Sequence, residues 1–299
     1  ITGEVKAAKT GKGEILLADQ LQSALELKRI FPEKLVDSGL KYLRRIGEPG
    51  VYYYLVNHTA TTVDDFLPFN QGGIHCVMLD PQTGETGVAQ IRMDRGILKV
   101  RVQMRPGEAM FVLVSQNIVK GKKWNYTEQA LTPVEVKGPW KLEFTVGGSP
   151  LPKTTELQQL VSWTELTDAT AGSFSGSARY STTVDLQGDL AEEYMLDLGK
   201  VCESAKVKIN GREAGILWSI PFTAKIGKLL KPGKNTIEIE VCNLMANRIR
   251  QMDLEKIQWR NYHEINFVNI EYKPFDASNW KPMLSGLLGP VRIIPLQLN

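Results

Sequence analysis

Residues 97–104 alternate without a break, with Leu98, Val100, Val102 and Met104 on one side and Ile97, Lys99, Arg101 and Gln103 on the other. Successive side chains of a strand point to opposite faces, so this run predicts a half-buried antiparallel strand. Short runs rich in β-branched and aromatic residues recur at 51–57, 74–79, 88–93 and 109–114, each a strand by composition and length. Turn signals separate them: Asp80-Pro81 with Thr83-Gly84, Asp94 with Gly96, and Arg105-Pro106-Gly107. Short strands at such spacing predict a β-sandwich.

A polar connector with Lys and Pro covers 115–138, and a second series opens at 140–146. Strands are expected at 178–186, 194–198, 206–210, 214–218, 222–226, 236–242 and 291–296. Asn210-Gly211 is a tight-turn signal between two of them, and 231–235 (KPGKN) is another. This series predicts an antiparallel jelly roll. The first 46 residues read differently. Leu21, Ala24, Leu25 and Leu27 stand at helical spacing, Pro32 stops the run, and 35–43 reads as a second short helix. Two short helices have too little surface for a core of their own, so the segment reads as the end of something larger. The expected fold is therefore mainly β. It has a helical segment at 1–46, a β-sandwich at 47–132 and an antiparallel jelly roll at 133–299.

Composition narrows the partners. A net charge of +3 over 299 residues, with basic residues scattered, gives no footprint for nucleic acid or an anionic membrane. No stretch reaches the ~20 apolar residues of a membrane span. The chain starts at Ile1 and carries no leader pattern, which reads as a trimmed N-terminus and leaves no direct signal of localisation. Cys76, Cys202 and Cys242 contain no C-x-x-C pair, which argues against zinc. Cys202 and Cys242 either pair across neighbouring strands or remain buried thiols.

The second half carries an ordered set of motifs: 174–180 (FSGSARY), 196–201 (LDLGKV), 205–211 (AKVKING), 215–218 (GILW) with Pro221-Phe222, and 230–235 (LKPGKN). Asn243, Asn247 and Arg248 follow, and 285–291 (SGLLGPV) closes the set. Together they resemble the galactose-binding-like jelly roll of glycoside hydrolases. The nearest resemblance is to the C-terminal region of glycoside hydrolase family 106, the α-L-rhamnosidases. The sugar-binding domain of family 2 is a more distant relative. Residues 41–45 (KYLRR) with 51–57 (VYYYLVN), and 80–85 (DPQTGE), are similar to the segment that precedes this jelly roll, with Arg44 where the family pattern has His. In that family the catalytic carboxylates sit on an upstream α/β barrel. A barrel needs about 250 residues, so the resemblance implies that 1–46 is at most its tail.

Glycoside hydrolysis uses two carboxylates about 5 Å apart, or roughly 6.5–9.5 Å for inversion. Asp64-Asp65, Glu192-Glu193 and Asp253 with Glu255 are the candidates, against solvated charge as the alternative. No G-x-S-x-G elbow and no phosphate-binding glycine loop is present, and His58, His75 and His263 are far apart. Calcium held by loop carbonyls and carboxylates stays open; no other cofactor is expected. Sugars are gripped by aromatic faces and planar polar side chains. Residues 243–280 supply Asn243, Asn247, Arg248, Asp253, Trp259 and Trp280, together with Asn261, Tyr262, His263 and Asn269. Trp259 and Trp280 either stack on sugar or pin the loop to the sandwich. Trp218 either faces a partner domain's active site or fills the core. Trp140 and Trp163 read as packing residues.

The leading expectation is an accessory, non-catalytic region of an α-L-rhamnosidase-like hydrolase. It would support the catalytic barrel and contact carbohydrate, a rhamnose-containing plant glycan by resemblance. The resemblance also implies a periplasmic or extracellular protein. The rival expectations are a free-standing carbohydrate-binding protein and a self-sufficient hydrolase with a site between the two sandwiches.

Overall fold

The computed structural model describes residues 5–148, 150–187, 191–260, 270–273 and 275–299. The chain divides into two compact units, Ile1–Trp124 and Asn125–Asn299.

In the first unit one sheet runs in the order Leu40–Gly47, Gly50–Asn57, Ala109–Ser115, His75–Leu79, Thr86–Val88. A second sheet runs Val63–Phe69, Ile97–Met104, Ile91–Asp94, and every pairing in both is antiparallel. The alternation at 97–104 is realised: Leu98, Val100, Val102 and Met104 are buried and meet Tyr53, Leu55, Phe69 and Met78 in one core. A strand with one buried face has its register fixed, because a slip of one residue would turn that face outward.

The expected helical segment at 1–46 holds more strand than helix among its described residues. Val5–Thr10 and Gly13–Ala18 form a hairpin, α1 covers only Leu21–Leu27, and a short 3-10 turn spans Lys34–Ser38. The second expected helix is broken by Gly39, whose φ of +87° lies in the left-handed region. From Leu40 the chain pairs along eight residues with Gly50–Asn57. Lateral pairing with the tyrosine-rich strand outweighs the weak helical spacing at 35–43.

Glu33 ties this entry to the sheet. It is 2% exposed. Its Oε1 accepts from Arg44 Nη1 at 2.5 Å and from the Tyr53 hydroxyl at 2.8 Å, and its Oε2 accepts from the Asn70 N–H at 3.0 Å. The Tyr53 hydrogen bond raises the Arg44 pKa, and burial raises that of Tyr53.

The second unit has a six-stranded antiparallel sheet in the order Thr155–Leu157, Trp140–Gly147, Gly176–Leu186, Gly233–Cys242, Ser204–Ile209, Arg212–Leu217. Facing it across one core is a sheet running Thr127–Gln129, Arg292–Leu298, Glu193–Asp197, Thr223–Lys225, with Val134–Glu135 also paired to Arg292–Leu298. The core draws on Trp140, Leu142, Tyr180, Ile237 and Ile239 from one sheet and Leu196, Ala224 and Ile293 from the other. The expected connector at 115–138 thus contains two strands of this sheet. The second unit accordingly begins near Asn125 rather than at 133. A short helix, α2 (Ala169–Gly172), and a longer one, α3 (Ala246–Leu254), decorate the sandwich.

All three cysteines are free thiols. Cys242 pairs in register with Ser204 and Ser177, not with Cys202, so the two thiols are not placed opposite each other.

Candidate functional site

α3 follows directly on Gly233–Cys242, the strand next to the centre of the six-stranded sheet. Two asparagines fix that junction. Asn243 donates to Phe174 O at 2.9 Å and to Ser285 Oγ at 3.3 Å, and accepts from the Gly176 N–H at 2.9 Å. Asn247 donates to Met283 O at 2.7 Å and to Ser285 Oγ at 3.3 Å, and accepts from the Met283 N–H at 2.7 Å. Both are buried. Their planar amides, expected to face sugar hydroxyls, satisfy backbone groups inside the fold.

Asp253 organises the return of the chain. Its Oδ1 accepts from Trp259 Nε1 at 2.7 Å and from Arg260 Nη2 at 3.3 Å, and its Oδ2 accepts from the Ala277 N–H at 2.8 Å. The side chain is 9% exposed. An aromatic chain follows: Trp259 meets Phe275 edge-on at 6.0 Å, and Phe275 meets Trp280 edge-on at 5.5 Å. The Arg260 guanidinium lies 5.3 Å from the Trp259 ring centre and also donates to Phe275 O. Arg250 Nε holds Trp280 O at 2.6 Å. Trp259 is half-buried in this cluster, while Trp280 keeps 42% of its surface exposed. The other polar residues of the expected sugar loop, Asn261, Tyr262, His263 and Asn269, lie outside the described residues.

Trp218 stands elsewhere. It follows the edge strand Arg212–Leu217 and is 64% exposed, beside the exposed Ile216 and Ile220. It does not fill the core.

The remaining carboxylate candidates hold local structure. Asp64 bonds Arg101 and Gln103, and Asp65 accepts from the Phe66 N–H. Glu192 accepts from the Leu298 N–H, and Glu193 from the N–H groups of Tyr194 and Gly227. Glu255 accepts from Gln251 Nε2 at 2.7 Å. Among the described residues there is no group of three or more His, Cys, Asp or Glu side chains that could hold a metal ion. No helix among them is long and apolar enough to cross a membrane.

A groove of about 530 Å³ lies between α3 and the stretch 164–175. Arg248, Gln251 and Glu255 fall at i, i+3 and i+7, and all three line it. Opposite them stand the hydroxyls of Thr164, Thr170 and Ser173. α2 is held in place by Asp168, which accepts from the Thr170 N–H at 3.0 Å, from Thr170 Oγ1 at 2.6 Å and from the Lys153 N–H at 2.9 Å. These donors, the Lys153 N–H first, hold the Asp168 carboxyl below its ordinary pKa. Of the expected residues Asn247, Arg248 and the carboxylate candidate Glu255 border this groove, and the Asn247 amide is engaged inward. Sequence reading missed Arg250, Gln251 and the hydroxyl side. The one available signal was the run of small polar residues at 164–177.

Two antiparallel sheets over one core, with a helix and a return loop closing one end, define a β-sandwich of the kind built into glycoside hydrolases. The structural likeness is to the rhamnosidase from Novosphingobium sp. PP1Y. It covers 96% of this chain and 27% of that one, at a TM-score of 0.70 and 28% sequence identity. By sequence the chain is 28% identical over 224 residues to a putative beta-glucuronidase of Formosa agariphila, covering 65% of this chain and 19% of that protein. No family model matches. The chain spans about a fifth to a quarter of the length of these relatives, and it is a glycoside hydrolase-related β-sandwich region.

Proposed function

We propose that this chain is an accessory, non-catalytic region of a rhamnoside-cleaving glycoside hydrolase, which supports a catalytic barrel and contacts carbohydrate. The observation that carries the reading is the match to a rhamnosidase over 96% of the chain at a TM-score of 0.70. The state of the carboxylates supports it. A hydrolase needs one carboxyl group free to give a proton and another free to attack or to activate water. Asp253, one of the sequence candidates, is a largely buried acceptor of three internal hydrogen bonds. A glycan-directed enzyme of this kind works in the periplasm or outside the cell, where polymeric glycans are met.

The test is hydrolysis of p-nitrophenyl α-L-rhamnoside by the 299-residue chain beside the full-length gene product. Turnover by the longer protein alone is the expected result. Turnover by the short chain, lost in Asp253→Asn, overturns the accessory reading.

A further inference from the structure

We propose that the groove between α3 and residues 164–175 is a binding site for an acidic sugar unit, with the sugar carboxylate on the guanidinium group of Arg248. The proposal deepens the carbohydrate contact inferred above and rests on that reading for the ligand being a glycan at all.

Three observations carry it. First, two cations line the groove against one anion, Glu255. Arg248 is half-buried and has no hydrogen-bond or ion-pair partner among the described residues. Arg250, two residues on along the helix and anchored through Nε to Trp280 O, adds positive charge at the groove's border. An arginine held on the wall of a cavity with its planar fork unused matches a carboxylate in geometry and charge. Glu255 is turned to Gln251, at 2.7 Å on the same helix face, which moderates its opposition to an anion.

Second, the wall facing α3 is hydroxylic. Thr164, Thr170 and Ser173 border it; the Thr170 hydroxyl donates to Asp168 and the Thr164 hydroxyl is bonded to Ser162, so these two keep acceptor lone pairs for sugar hydroxyls, and Ser173 adds a third hydroxyl. Third, the exposed ring of Pro282 supplies apolar surface for the C–H face of a pyranose, while Phe174 is packed against Phe144 and Trp163 behind the wall. A volume of about 530 Å³ lies within the range of small-ligand sites, roughly 300–1,000 Å³. A neutral sugar would use the second and third features and leave Arg248 without a partner, so the first selects a charged ligand.

The experiment measures binding of the intact chain to oligogalacturonate, to its methyl ester, to a neutral rhamno-oligosaccharide and to a sulfated galacto-oligosaccharide, by calorimetry at low salt. Tightest binding to oligogalacturonate is expected, weakened roughly ten-fold or more by methyl esterification or by Arg248→Gln. Arg248→Lys, which keeps the charge and loses the fork, should retain an intermediate affinity. The melting temperature of both variants should equal that of the parent, since Arg248 has no partner to lose among the described residues. Equal affinity for the ester, preference for the neutral or the sulfated ligand, or indifference to Arg248→Gln each overturns the assignment. The rhamnoside assay is separate: activity of the short chain would remove the accessory reading and leave the groove result standing, and the reverse also holds.

Discussion

At the scale of single residues, the same chemistry serves two purposes, and sequence does not say which. Asn243, Asn247 and Asp253 have the planar polar groups that recognise sugars. In the fold they bind backbone groups of 174–176, 277 and 283 instead. Such partners are fixed by chain return over 24 to 69 residues, which no local pattern reveals. Glu33 shows this most sharply, because nothing around it in sequence marks it as buried. Three donors converge on its carboxylate, and Glu33→Ala would leave the Tyr53 hydroxyl and the Asn70 N–H without an acceptor. Breaking a buried charged cluster on one side costs about 3–5 kcal/mol. Urea denaturation of the first unit should show a loss of that order, and a smaller one for Glu33→Gln, which keeps an acceptor for Tyr53. A loss below ~1 kcal/mol in Glu33→Ala would mean the cluster is not a determinant of stability.

At the scale of elements, strands with one buried face were legible and the others were not. The 97–104 strand announces its two faces through alternation, and its burial follows that alternation. Thr127–Gln129 and Val134–Glu135 are too short to display a period and exist because Arg292–Leu298 pairs with them. The groove was illegible for a related reason: its two walls lie some 80 residues apart in sequence. The SGLLGPV motif closes the ordered set read in the sequence, and the structure gives the physical reason for its first glycine. Gly286 has φ +96°, and a Cβ there would meet Trp163 Nε1 at 2.4 Å and the Tyr180 hydroxyl at 2.5 Å. Those two groups are themselves bonded at 2.6 Å, and the hydroxyl also accepts from the Leu287 N–H at 3.0 Å. Gly286→Ala must therefore break this buried triad, and a loss of at least ~2 kcal/mol is expected. Chemical denaturation followed by near-ultraviolet dichroism of the tryptophans would report it. An unshifted midpoint would show that the strand can move aside.

At the scale of the whole molecule, two separate cores imply two unfolding events. Calorimetry should resolve them, with Glu33→Ala lowering one and Gly286→Ala the other. Alkaline pH offers an independent handle on the second core. Burial pushes the Tyr180 phenol up to about 12, against the pull of its bonds from Leu287 and Trp163. A folded state that keeps a proton the unfolded chain releases is stable below the ordinary tyrosine value and loses stability as pH rises. The contribution of Tyr180 is therefore full below about pH 10 and declines through about pH 12, at about 1.4 kcal/mol per pH unit. Tyr180→Phe has no phenol to ionise, so its second transition should start lower, with the Trp163 and Leu287 donors left unsatisfied. It should then fall less steeply between pH 10 and 12. Parallel pH profiles for the two proteins would mean that another group governs the alkaline limit. The comparison separates the phenol's titration from its packing, because the substitution removes only the hydroxyl.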